Sequence, residues 1–577
     1  MAWLAAARAR RSALGYVLRS PFHGWRFMVP RASQVLLIPQ DLRTTDASFV
    51  AEVQEGHFGL AGQVAQIWDV SPFKVRPPSP EWEQQLHSFV WLRHLRAGGE
   101  EGGHELAREF VEDWIALNRV PRGRPFEPAT TARRIMSWLG SAAVLLDGVE
   151  QPGYDGIMRS LDMQLQHLAA SYRDAPDGTP RLTALTALIM AGLCIADQEL
   201  VLETYQEAFT QEIDRQILAF GGHVSRNPGV LVDVLMDFLP MSQCYKARNK
   251  SPPEGLHKAI ERMLPWLRYL RLGDGQLVRF HGMGATAPAA LATVLAYDES
   301  SAVLQPSPQS GYLRLQAAKT IVVMDAGPPP PLELSSQAHA GCLSFEMSAG
   351  LQPLIVNCGA PGLADQSFRT LSRATTAHST LSVNGASSSR LVPSRLPGRD
   401  HELEALTGPA KVDRTIAAKG GSWEVQTWHD GYLKRFGLGH ARALRLDVTG
   451  DVLDGMDRLA HPDQSARIKG DVAFGIHFHL HPSVECRLGA TPATAELRLP
   501  NGDTWRLALK GPAEVSIEES RFFADASGPR QSVQIVLRGR CLDSVEVHWR
   551  LSRVNSGPPL RPVAAPVAKP DTGEVTS

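Results

Sequence analysis

The sequence predicts an α+β, multidomain chain, with a helical N-terminal half followed by an antiparallel β-sandwich. Between about residues 80 and 300 apolar residues recur at three- and four-residue steps. Near residue 300 the period changes across the turn-rich stretch DESSAVLQPSPQSG. Beyond it the apolar segments are short, rich in branched and aromatic residues, and mostly bounded by Gly, Pro or Asn. A chain of 577 residues is also too long for one core, so two large domains are expected.

Residues 1–79 lead into the helical region. They open on a basic stretch in which Arg8, Arg10, Arg11, Arg19, Arg26 and Arg31 all precede the first acid, Asp41. Arginines and proline interrupt its apolar runs, so no secretory leader is evident. Across 80–300, segments such as ATTARRIMSWLGSAAVLLDG, RLTALTALIMAGLCIAD, VLETYQEAFTQEIDRQILAF, GVLVDVLMDFLPMSQCYKAR and GLHKAIERMLPWLRYLRL read as helices between Gly, Pro or Asp breaks. Such a succession of antiparallel helices implies a bundle, a solenoid or a toroid. Residues 301–310 form the linker. Across 311–555, TIVVMDAG, PLIVNCG, HSTLSVNG, RALRLDVTG and AFGIHFHLHP read as strands. In SVEVHWRL, Val545, Val547, Trp549 and Leu551 alternate with polar residues, as a half-buried strand requires. Residues 556–577 are Pro-rich and aperiodic, and are expected to be disordered.

Bulk composition excludes several classes. Hydrophobic content of 43% and charged content of 21% fit a globular protein. A formal net charge of -1 offers no global attraction to nucleic acid or an anionic membrane, although a polyanion needs only a local basic cleft. No run reaches the roughly 20 apolar residues of a membrane helix, so a cytoplasmic location and export by an unread route both stay open. The six cysteines are scattered without a CxxC pair, which argues for reduced buried thiols over a zinc ribbon or disulfide scaffold.

Polar residues gather at element ends. In GGHVSRNP, His223 and Arg226 share a turn that could face an anion, while Asn227 before Pro228 suits a helix N-cap. His339 and His378, with Asn357 ending the strand between them, could hold a divalent metal or could close strands. Trp428-His429-Asp430-Gly431-Tyr432, followed by His440 and Arg442, mixes acid–base and anion-binding groups, although Asp430-Gly431 also suits a hairpin turn. His477, His479 and His481 alternate on one strand, where an exposed polar face is the simpler expectation. Asp233 and Asp237 stand one helical turn apart, as a glycoside hydrolase pair or as a solvated face.

Taken in order, AHAGCLSFEM, LIVNCGAP, TTAHSTLSVNG, WHDGYLKRFGLGHAR and FHLHPSV resemble the heparinase II/III family of polysaccharide lyases, most specifically over residues 335–485. RRIMSWL and GGHVSRNP extend the resemblance into the helical half. It implies an N-terminal α/α toroid (a helical barrel), a C-terminal antiparallel β-sandwich and a site in the cleft between them. The implied reaction is a carbon–oxygen lyase step, β-elimination on an acidic polysaccharide containing uronate, with no organic cofactor. It also implies a bacterial cell-envelope or periplasmic setting and allows a homodimer. His339 and His378 match two zinc-ligand positions, but the third ligand, normally Asp, falls at Asn357, which should weaken zinc binding.

Proton-transfer positions depart further. The catalytic histidine falls at Gln337, the helical-domain tyrosine near Val230, and an upstream Asn-His pair near Thr179-Pro180. The resemblance therefore leaves three outcomes. One is a divergent lyase, with Tyr432, His429 and His223 as catalytic candidates and Arg226, Asn227, Gln337 and Arg442 as substrate-binding candidates. Another is a related C5-epimerase. The third is a non-catalytic glycan-binding or polysaccharide-assembly protein.

Overall fold

The computed structural model describes residues 32–68, 70–300, 304, 308–394, 403–463 and 470–556. The expected disordered tail from 557 onward and the six N-terminal arginines lie outside these residues.

Helices occupy the first half where the three- and four-residue period places them. The longest are Gln151–Ser171, Thr179–Cys194, Glu199–Gln216, Pro228–Ala247 and Glu254–Tyr269. Thr179–Cys194 is apolar nearly all round, and almost every residue from Leu182 to Cys194 is buried. A helix of that kind belongs in an interior. It packs against Pro128–Gly140, Glu199–Gln216 and Pro228–Ala247. The Asn-Pro pair caps the last of these as its sequence predicts, with Asn227 Oδ1 accepting from the Gly229 N–H at 2.9 Å. A separate aromatic core, including Phe58, Trp82, Trp91 and Trp114, fills the N-terminal end. No helix among the described residues is long and apolar enough to cross a membrane.

The second half holds two antiparallel sheets of eight strands each and a two-stranded sheet, Arg390–Ser394 with Leu403–Thr407. One runs, in spatial order, Val412–Lys419, Ser422–His429, Gly439–Leu446, Val452–Ala460, Ser544–Ser556, Asp503–Lys510, Thr494–Arg498 and Glu485–Leu488. The other runs Ala513–Phe522, Arg530–Cys541, Val472–Leu480, Gln352–Val356, Phe345–Ala349, Thr320–Asp325 and Tyr312–Ala317. Leu381–Val383 also pairs with Val472–Leu480. The strand Thr320–Asp325 is buried on both faces. Val322 and Met324 enter the sandwich core, while Ile321 and Val323 join Tyr312 in the core of the helical domain. Strand alternation thus lets one hairpin serve two cores.

Buried polar contacts fix how the domains meet. Arg226, left-handed at φ +62°, sends Nη2 to within 2.6 Å of Asp325 Oδ1 and 2.9 Å of the Gly311 carbonyl. Its guanidinium lies 4.6 Å from the Tyr312 ring centroid. Arg279 Nη1 reaches Glu346 Oε2 at 3.1 Å with both side chains buried. Gly178 is needed at its rim position: at φ +88° a Cβ would lie 2.8 Å from Leu334 Cδ2 of the opposite domain.

The histidine stripe departs from expectation. His477 and His479 are buried, because Val472–Leu480 lies inside its sheet and polar neighbours cover that face. His477 bonds Ser382 and Gln534, and His479 bonds Ser520 and the Thr376 carbonyl.

Candidate functional site

Between the domains lies a cavity of about 300 Å³. The helical side supplies Asp177 to Pro180 at the start of Thr179–Cys194, then His223, Ser225, Asn227, Val230 and His281. The β-domain supplies Leu332 to Leu334, Ser336 to Ala338, and Ala405. Thr179-Pro180, Val230 and Gln337, far apart in sequence, therefore share one wall.

His223 holds this wall together. Its Nε2 faces Gln216 Oε1 at 2.9 Å, and its Nδ1 accepts from the Ser225 N–H at 3.0 Å and meets Ser225 Oγ at 2.7 Å. Gln216 in turn donates to the Gly178 carbonyl at 2.9 Å. Burial pushes the His223 imidazole down to about 4, so it is neutral with both nitrogens engaged. Arg226, a substrate-binding candidate from the sequence, is instead spent on Asp325 and backbone carbonyls. Asn227 faces the cavity while capping its helix, and Gln337 is exposed to it.

Sequence reasoning missed His281. It is 3% exposed, takes φ +47°, and sits in FHGMG, where the glycine that follows was the one available signal. Nε2 lies 2.9 Å from Asp325 Oδ2, at ion-pair distance but off the line of a straight hydrogen bond. Nδ1 has no partner. Burial alone would raise the Asp325 carboxyl, but Arg226 and His281 beside it hold it below its ordinary value.

Tyr432, His429 and Arg442 do not join the cavity. All three are fully buried within the β-domain. Tyr432 donates to the Leu381 carbonyl at 2.7 Å, and burial pushes its phenol up. His429 Nδ1 accepts from the Gly431 N–H at 3.0 Å, which turns Nε2 toward His440 Nδ1 at 3.3 Å. His440 Nε2 continues to Asp457 Oδ1 at 2.7 Å, and Arg442 Nε and Nη2 grip the same carboxylate at 2.8 and 3.1 Å. The expected acid–base cluster is thus a buried structural network, because its strands turn these side chains inward.

The metal candidates pair without completing a set. His378 Nδ1 donates to the Ala374 carbonyl at 2.8 Å, so its Nε2 accepts from His339 Nδ1 at 3.1 Å. Asn357 Oδ1 accepts from the Ser379 N–H at 2.9 Å, and its amide donates to the Arg279 carbonyl at 3.4 Å. No group of three His, Cys, Asp or Glu among the described residues is placed to hold a metal ion. Two imidazoles and an amide with both ends engaged do not fit zinc, which takes at least three protein ligands.

Asp233 and Asp237 stand apart from the cavity. Arg43 and Arg133 each reach Asp237 Oδ1 at 2.8 Å, so the pair is no acid–base couple across a cleft. The thiols are free, and Cys194 Sγ lies 3.9 Å from Cys244 Sγ.

The family model of the heparinase II/III-like C-terminal domain matches residues 301–553. FtsZ-localized protein C of Caulobacter vibrioides is 30% identical over 566 residues, 94% of this chain and 95% of that protein. The chain belongs to the heparinase II/III-like family. A heparinase III crystal structure superposes at a TM-score of 0.71 with 14% identity, covering 95% of this chain and 90% of that one. A mutant of heparan sulfate lyase HepC from Pedobacter heparinus superposes at 0.63 with 14% identity, covering 95% and 89%. The heparinase II/III-like chain thus has the α/α toroid and β-sandwich that its motifs imply.

Proposed function

We propose that this heparinase II/III-like chain binds a glycan in its interdomain cavity without cleaving it. β-Elimination needs a base for the C5 proton, an acid for the leaving oxygen and charge stabilisation of the intermediate. Val230 and Thr179-Pro180 cannot move protons, and neither can the Gln337 carboxamide. His223 is neutral and tied at both nitrogens, and Arg226 is committed to Asp325. The observation that carries the proposal is the convergence of these proton-silent residues on one open cavity. The name of the 30% identical Caulobacter relative supports a place for this chain beside FtsZ.

A panel of uronate polysaccharides incubated with the protein tests this directly. No ultraviolet absorbance of unsaturated uronate is expected, and the glycans should be recovered at unchanged length. Rising absorbance with shortened chains would overturn the proposal in favour of a divergent lyase.

A further inference from the structure

The charge of the cavity's lining does not match an acidic substrate. Among the described residues it includes two carboxylates, Asp177 and Glu333, and no lysine or arginine. Nearby guanidinium groups each hold a protein acceptor, although Nε of Arg181 and of Arg369 has none. Arg181 lies 2.5 Å and Arg215 3.2 Å from Asp177, and Arg369 donates to the Ser336 carbonyl at 3.1 Å. A carboxylate-bearing sugar would therefore leave water for a wall that, among the described residues, offers no lysine or arginine to receive it.

His281 supplies the opposite preference. Its backbone is held in a left-handed conformation that a residue with a Cβ seldom adopts, and such outliers persist where the surroundings enforce them. Gly282, at φ +90°, presses the same loop against Gln337: a Cβ there would lie 2.8 Å from the Gln337 carbonyl oxygen. Asp325 faces Nε2 and so favours the tautomer with its proton on that nitrogen. Nδ1 is left as a buried lone pair without a partner, on a side chain that lines the cavity. A buried acceptor of this kind is costly unless a donor reaches it. The apolar side chains of Val230, Leu334 and Ala338 beside it suit the carbon face of a sugar ring.

We propose that the cavity selects an uncharged saccharide, whose hydroxyl or amide hydrogen donates to His281 Nδ1, over a uronate. This inference rests on the glycan-binding function proposed above. Calorimetric titration with three tetrasaccharides separates the two claims: a cello-oligosaccharide, a chito-oligosaccharide and a glucuronate-containing oligomer.

Saturable binding of at least one uncharged oligomer, about tenfold tighter than the uronate or more, is expected, together with at least a tenfold loss in His281→Ala. Tighter binding of the uronate would overturn the selectivity while leaving glycan binding intact. Binding of none of the three would overturn both. Should His281→Ala not fold, the imidazole ¹⁵N shifts of the wild-type protein give the answer. Movement of the His281 Nδ1 resonance on adding the bound uncharged oligomer supports the contact, and an unmoved resonance contradicts it.

Discussion

Asp457→Asn is expected to destabilise the β-domain by about 3–5 kcal/mol, the usual range when one member of a buried ion pair is removed. Asp457 is 1% exposed and accepts from four donors on three side chains: His440 Nε2, Arg442 Nε and Nη2, and Trp549 Nε1 at 2.9 Å. Asparagine keeps one acceptor oxygen but turns an NH2 group toward donors, and it leaves the Arg442 guanidinium buried without a counter-charge. Arg442 Nη1 also holds the Leu343 and Ser379 carbonyls, so its displacement would loosen the second sheet as well. Denaturant unfolding of the variant measures the loss. A change below about 1 kcal/mol would show that the network is not the strut described here. The double variant Arg442→Leu with Asp457→Leu should not recover the loss, because it leaves His440 Nε2, Trp549 Nε1 and the Leu343 and Ser379 carbonyls buried without these partners.

Acid lability is the second large effect. Burial pushes His223 and His378 down to about 4 and His479 to about 3, and all three side chains are buried. Unfolded histidine titrates near about 6.5. As pH falls below that value the unfolded chain takes up protons that the folded chain refuses, so stability rises with pH through this window and is lost toward the folded values. Each such histidine removes about 1.4 kcal/mol per pH unit, or on the order of 4 kcal/mol per unit for three together. Depressed carboxyls act lower. Asp325 and Asp457 contribute stability that is present above the unfolded carboxyl value, about 4, and is lost as pH falls further. Unfolding midpoints should therefore drop steeply from about pH 6.5 toward about pH 5, well before carboxylates titrate. Equal stability at both ends of that interval would contradict the neutral burial of these imidazoles.

The change of period near residue 300 made the two domains legible, because helical and strand burial leave different spacings in the chain. Helix Pro228–Ala247 began where Asn227 and Pro228 announce a start. The cluster around His429 and Tyr432 misled for a specific reason. Its meaning depends on cross-strand register, which sets His429 opposite His440 and Arg442 opposite Asp457. Linear sequence shows the residue types but not the partner across the ladder or which face is buried. His281 stayed invisible because an isolated histidine before glycine has no pattern, and its two marks are a backbone angle and an unfilled lone pair. By contrast, Val230 and Gln337 were singled out through the family resemblance, and the fold brings both to one cavity.

Titration of wild type and Val230→Trp with the same tetrasaccharides, with chain lengths measured afterwards, tests glycan binding without cleavage most directly. Val230 is half-buried on the cavity wall, and an indole there would occupy the space a sugar ring needs. The account predicts saturable binding by wild type, oligomers of unchanged length, and loss of binding in a variant that unfolds at the same denaturant concentration. Undiminished binding in the variant, or shortened oligomers with wild type, would contradict it.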